Sequence, residues 1–101
     1  MVETASVTLV TVVGAFEVEE RLVSDLKRLG VKGFTRGQVD GKGVHGPRMA
    51  GLSDAPNFRL EMLVKASLAQ RIFERIATKY ADQPIIAFHH PVEAMPAEHF
   101  K

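Results

Sequence analysis

Seven of the chain's eight glycines fall between Gly30 and Gly51, which pushes regular structure to either side of one segment. Glycine costs backbone entropy in helices and strands and is useful where the chain takes positive φ or passes close to a ligand. Gly41-Lys42-Gly43, Gly46-Pro47-Arg48 and Gly51 punctuate a run with almost no bulky apolar side chain, within the wider stretch Thr35 to Phe58. The reading is a loop of about 16 residues, Gly41 to Pro56, longer than most connections in compact domains and of a kind that commonly carries function. Lys42, His45 and Arg48 place cationic groups beside backbone N–H groups that glycine leaves uncovered, a combination suited to an anion.

On both sides of the loop the hydrophobic period changes in a definite order. Ser6-Val7-Thr8-Leu9-Val10-Thr11-Val12-Val13 is dominated by β-branched residues and predicts a first, buried strand. After Gly14, Val18, Leu22, Leu26 and Leu29, with Phe16 and Val23 beside them, follow helical spacing. Glu17, Glu19 and Glu20 occupy the first turn, Lys27 and Arg28 the last, and Gly30 is the stop. Val31 to about Asp40 alternates loosely and predicts a second strand. Phe58, Leu60, Met62 and Val64 then face one way, and Arg59, Glu61, Leu63 and Lys65 the other, as a third strand would. Ser67 with Gln70 matches a capping box, and Leu68, Ala69, Ile72, Phe73, Ile76, Ala77 and Tyr80 form the stripe of a second helix. Pro84 to His89 predicts a fourth strand and Pro91 to Met95 a short edge strand, before a tail expected to fray.

The order β-α-β-β-α-β is that of the α+β ferredoxin-like fold, in which two helices cover one face of a four-stranded antiparallel sheet. The other face stays open. Val10, Val12, Phe34, Leu63 and the final strand are expected to place apolar groups there beside Arg59 and Glu61. Such a patch meets a partner, and assembly around a symmetry axis covers it in every subunit at once.

At 101 residues and 46% hydrophobic composition the chain supports one core, hence one domain over 1–101. Thirteen basic against twelve acidic residues leave a net charge of +1, which argues against nucleic acid or an anionic membrane as partner. The absence of cysteine excludes disulfide and thiolate chemistry. The apolar run Val7 to Val13 is too short to span a bilayer, so no membrane insertion is expected, and the protein reads as soluble and cytoplasmic.

Few residues invite catalysis. His89 and His90 are adjacent on a strand and point to opposite faces, which does not suit one metal ion; His99 with Glu98 reads as solvated surface. Glu61 could serve as a base, but an ion pair with Arg59 or a neighbouring subunit is the simpler reading. Ser53-Asp54 suits a turn. Gly41-Lys42-Gly43 lacks the spacer and hydroxyl of a Walker loop. No catalytic triad, carboxylate pair or metal-ligand set can be assembled from local spacing, and the chain is not read as an enzyme.

In combination, Gly30-x-Lys32-Gly33-Phe34-Thr35, Gly41-Lys42-Gly43, Ser53-Asp54-x-x-Asn57, and Glu61 with Leu63 resemble the PII signal-transduction superfamily. Within it, the likeness is specifically to the PII-like branch linked to bicarbonate uptake and carboxysomes. The resemblance covers most of the chain and identifies the long loop, at about 41–57, with the family's flexible T-loop. It implies a homotrimer holding a nucleotide in each cleft between subunits, with the T-loop meeting a target such as a bicarbonate transporter or a carboxysome-related protein. On this resemblance Gly41, Lys42 and Gly43 wrap the phosphates and Arg48 contacts them, His45 stands where some relatives carry another arginine, and Thr35 and Glu61 belong to the site. Leu63 packs on adenine, and Gln83-Pro84 approaches the ligand. Between Tyr80 and Pro84 there is no second glycine- and lysine-rich phosphate loop, and the T-loop has no tyrosine to be nucleotidylated. ADP, AMP or a cyclic nucleotide, with bicarbonate, is therefore expected rather than ATP with 2-oxoglutarate. Two other classes fit the same element order. One is a trimeric metal-binding protein or enzyme using His89, His90 and Glu61; the other is an amino-acid-sensing domain with its ligand near Gly14.

Overall fold

The strict alternation of Phe58-Arg59-Leu60-Glu61-Met62-Leu63-Val64 makes one side of a strand apolar and the other mixed, and the sheet is assembled around that strand. The computed structural model describes residues 2–39 and 57–101. Gly41, Lys42, Gly43, His45, Arg48 and Ser53-Asp54, and with them almost all of the expected T-loop, lie outside the described residues. In chain order the elements are β1 (Ala5–Ala15), a 3-10 turn (Phe16–Val18), α1 (Glu19–Leu29), β2 (Thr35–Val39), β3 (Asn57–Val64), α2 (Ala66–Lys79), β4 (Ile85–Ala94) and a second 3-10 turn (Ala97–Phe100). The sheet runs β2-β3-β1-β4 with every pair antiparallel, the α+β βαββαβ arrangement expected.

Register decides which residues share a face, because directly opposed side chains in an antiparallel pair project the same way. Val10 pairs with Met62 and Val12 with Leu60, so these four stand on the helix side, all essentially inaccessible. Leu22 and Leu26 of α1 and Ala69, Ile72 and Ile76 of α2 close over them, with Phe58, Tyr80 and Ile85 completing the core. Gly14 has a packing reason: a Cβ there would sit 2.7 Å from the Phe58 ring and 3.1 Å from Ile85. Gly30 has a conformational one. It takes φ 110°, and its N–H donates to Lys27 while that of Val31 donates to Leu26, which closes α1 with buried Val31 packed back on the helix.

The open face differs from expectation. Val10 and Val12 lie beneath the helices, and Phe34 packs against the core, so none of the three lines the open side. Leu9, Thr11 and Val13 take their place on β1, opposite Leu63, Glu61 and Arg59. Leu63 and the final strand are there as expected, with Leu63, Ile86 and Phe88 each 40–46% exposed. β2 begins at Thr35 instead of Val31, because Val31 is committed to the helix stop. β4 runs on through Pro91 to Ala94 as one strand, and no separate edge strand exists among the described residues. Proline is tolerated because β4 is an edge. The tail is ordered into the 3-10 turn with Ala97 buried. The capping box is not used: Lys65, in extended conformation, is the N-cap of α2 and no side chain caps it. Ala77 is exposed and leaves the apolar stripe.

Candidate functional site

Thr35, Glu61 and Leu63 share the open side of the sheet. Glu61 has Thr35 as its cross-strand partner on one side and Thr11 on the other, while Leu63 stands two residues further along β3 opposite Leu9. Thr11 is 1% exposed even on this side, shielded by the longer side chains around it. Arg59 Nη2 lies 3.2 Å from Glu61 Oε2, so the carboxylate is paired within its own chain as the simpler reading held. Both groups remain partly exposed, and such a pair contributes at most about 1 kcal/mol.

Gln83 and Pro84 are placed elsewhere. The Ala15 N–H donates to the Pro84 carbonyl at 3.1 Å, Ala15 is registered with Asn57, and Asn57 with Val39. Four backbone segments therefore line up across one end of the sheet, where residues 40–56 depart and return. Gln83 is fixed there by its N–H to the Tyr80 carbonyl and by accepting from Ile85. From this end to Glu61 is about 13 Å along β3, and to Leu63 about 20 Å, at roughly 3.3 Å per residue. One chain thus brings Thr35, Glu61 and Leu63 together, and Gln83 and Pro84 together, but does not join the two groups.

Sequence reasoning passed over a cavity of about 320 Å³ near that end, lined by Phe16, Glu19, Glu20, Arg36, Gly37, Gln38, Asn57 and Phe58. Arg36 Nη1 lies 3.3 Å from Glu20 Oε1 and 3.7 Å from Glu19 Oε2. With two carboxylates to one guanidinium, these walls alone favour a neutral or cationic group over an anion. The readable signal was Arg36 itself, directly after Phe34-Thr35.

The strongest electrostatic feature sits between the helices. Asp25, 1% exposed, accepts from the Tyr80 hydroxyl at 2.5 Å and from Lys79 at 3.1 Å, with Arg28 and Arg75 at 3.4 and 3.6 Å. The Tyr80 hydrogen bond above all, then Lys79 and the Arg75 charge, hold its carboxyl below the ordinary 3.8 against the opposing effect of burial. Burial first, and then Asp25, push Tyr80 up to about 12.

The other candidate chemistries are geometrically constrained. His89 faces the helices, its ring 4.6 Å edge-on from Phe73, and His90 pairs with Leu9 on the open side, so the two imidazoles cannot chelate one ion. Among the described residues no group of three or more metal-ligating side chains converges. At Gly14 itself the helix side is filled by Phe58 and Ile85, so a ligand at that turn would have to sit in the cavity beside Phe16 and Glu19. No helix among the described residues is long and apolar enough to cross a membrane.

Residues 7–95 match the family described as nitrogen regulatory protein P-II. No curated protein matches the chain. Among solved structures, a protein from Thermus thermophilus described as PII-like and signaling is 33% identical, with 98% of this chain and 99% of that one aligned at a TM-score of 0.80. CPII, a nitrogen regulatory PII-like protein from Thiomonas intermedia solved with ADP, AMP and bicarbonate, is 19% identical over 92% of this chain and 97% of its own, at 0.78. The same protein with ADP, AMP and acetate aligns over 98% of each chain at 0.83 and 19% identity. At that identity CPII shares the fold.

Proposed function

Because the chain belongs to the nitrogen regulatory protein P-II family, a family of regulators, we propose that this PII-like signalling protein senses ADP or AMP, together with bicarbonate, at clefts between the subunits of a homotrimer. The observation that carries the reading is the division of the expected site residues into two groups, Thr35, Glu61 and Leu63 on the open sheet face and Gln83 and Pro84 at the sheet end. A second subunit laid against the open face would bring one chain's first group to its neighbour's second, and would cover Leu63, Ile86 and Phe88 in the same step. Leu63 then packs on adenine. Gly41, Lys42, Gly43 and Arg48 hold the phosphates, with His45 beside them. CPII, solved bound to ADP, AMP and bicarbonate, supports the ligand class.

Bicarbonate and nucleotide are both anions and repel when adjacent. Positive coupling between them therefore requires that the first ligand meet the ordering cost of the shared glycine segment, about 1–2 kcal/mol for each backbone fixed. The segment so ordered is the surface offered to a partner in inorganic-carbon uptake or CO2 fixation, acting from the cytoplasm. As proposed, residues 1–101 form a single PII-like domain.

The test is titration of ADP by calorimetry, with and without millimolar bicarbonate and against chloride at equal ionic strength, on protein whose mass is measured by light scattering. The expected assembly is about 33 kDa, three times the 11.1 kDa chain. Arg48→Ala is expected to weaken ADP about tenfold, the loss of one charge-assisted hydrogen bond. A stable monomer, or the same ADP affinity in Arg48→Ala, refutes the intersubunit phosphate site. Equal effects of bicarbonate and chloride leave a nucleotide sensor without a carbon signal.

A further inference from the structure

The helix layer carries a charge surplus that the sheet-face site does not use. Arg21, Asp25 and Arg28 follow one stripe of α1 and Arg71, Arg75 and Lys79 one stripe of α2, at spacings of three and four residues that keep them on one side of each helix. Asp25 at the seam is already satisfied by the Tyr80 hydroxyl and Lys79 Nζ, yet Arg28 Nη1 and Arg75 Nη1 also close to within 3.6 Å of its Oδ1. Arg21 completes the group, 5.4 Å over the Tyr80 ring.

A buried carboxylate needs about one counter-charge. Here four cations gather around one acid, a surplus of three positive charges on a chain whose net charge is +1. Their mutual repulsion is relieved by water, salt or an added anion, and in part by Glu74 beside Arg75 on α2. Each guanidinium has five donors, and the contact with Asp25 engages one nitrogen of Arg28 and one of Arg75. The remaining donors are available to a partner, with Arg28 72% and Lys79 47% exposed. Arg71, also exposed, extends the stripe one turn beyond Arg75. From Arg71 to Lys79 the cations span about 12 Å of helix. That spread matches several carboxylates along a chain better than one compact phosphate.

We propose that the α1–α2 seam is a docking surface for an acidic segment of a partner protein. It lies on the opposite layer of the sheet from Glu61 and Leu63, so it can be occupied independently of a ligand on the open face. Asp25, at its floor, holds Arg75 and Lys79 in place and prepays part of the cost of ordering their long side chains.

The test is fluorescence anisotropy of a labelled decaglutamate peptide with the full chain at low and high salt. Arg28→Gln with Arg71→Gln removes two outer cations while leaving Arg75, Lys79 and Tyr80 on Asp25. Lys32→Gln with Lys101→Gln removes the same charge elsewhere. Saturable binding is expected, weakened about tenfold by the first pair, by less than about twofold by the second, and strongly by salt. If the first pair lowers the melting temperature, Arg28→Gln alone replaces it, with about threefold weakening expected. No saturable binding at low salt, or equal loss from both pairs, overturns the proposal. Displacement of the peptide by pyrophosphate, but not by sulfate at equal ionic strength, overturns it in favour of a phosphoryl site.

Discussion

The two faces of the sheet are made by the same strands and alternate residue by residue, yet one is finished and the other is not. On the helix side Val10, Val12, Phe58, Leu60 and Met62 are at most 2% exposed. On the other side Leu63, Ile86 and Phe88 remain 40–46% exposed around the Arg59–Glu61 pair. The first face carries the stability of the chain alone. The second carries large apolar groups at positions where a self-sufficient domain would place polar ones. Identical backbone geometry with opposite side-chain logic separates the face that closes the core from the face that stays exposed.

Substitutions that respect this division have graded consequences. Leu60→Ala, on the finished face, is expected to cost about 3 kcal/mol, because it removes a fully buried side chain from a closed core; urea unfolding measures it. A loss under about 1 kcal/mol would mean that this face is not the closed core.

Tyr80→Phe tests the polar lock within the helix layer and is expected to cost about 2 kcal/mol at neutral pH, the range for a hydrogen bond to a charged group. Its pH dependence has a definite sign. Asp25 titrates below its ordinary 3.8 in the folded chain, so its contribution is complete above that value and is lost as pH falls through the folded one. The gap between parent and Tyr80→Phe should therefore narrow below about pH 4. Tyr80 is pushed up to about 12, so the share that rests on its protonated form is intact below about pH 10 and drains as pH rises towards 12. A gap independent of pH at the acid end would assign the effect to packing and not to the carboxylate.

Phe88→Ser, on the unfinished face, should change the intrinsic stability of one chain by less than about 1 kcal/mol while reducing self-association in sedimentation or light scattering. If association is unchanged, the exposed apolar groups serve some other contact. Arg59→Ala is the smallest effect, about 0.5 kcal/mol or less, and should vanish in molar salt.

Legibility in the sequence followed the same division. β3 could be assigned to both faces from its letters because its alternation is strict, and α1 because its stripe and Gly30 agree. β1 could not be phased: with Val, Leu or Thr at every position from 7 to 13, a period of two carries no information, and only the register with β3 puts Val10 and Val12 inward. Pro91 looked like a break because a missing N–H matters in a central strand, whereas β4 turned out to be an edge. Ser67 suggested a cap, but the chain enters α2 with Lys65 extended, leaving Ser67 inside the helix. Asp25 was the least visible. It lies between Leu22 and Leu26 on the apolar stripe, which was the available hint, but Lys79 and Tyr80, which hydrogen-bond it most closely, are 54 and 55 residues away. Of the candidate site, Glu61 and Leu63 were legible as one face from the alternation of β3, whereas Thr35 was not, because Phe34 was expected on that face and only the register of β2 with β3 exchanges the two. That Gln83 and Pro84 stand apart from them depends on how β1 joins β3 to β4.

Val39 and Asn57 are direct cross-strand partners, so residues 40–56 begin and end on a single rung of the ladder. The sheet, not the segment, fixes the separation of the two ends at about 5 Å. Between ends held in this way, the entropy of closing a connection grows only with the logarithm of its contour length, about 0.6 kcal/mol per doubling. Letters can accordingly be inserted, deleted or exchanged between these anchors while the register Val39–Asn57, and the core behind it, stay as they are. Descendants of one scaffold can diverge in that interval at far lower thermodynamic cost than anywhere along β1 or β3.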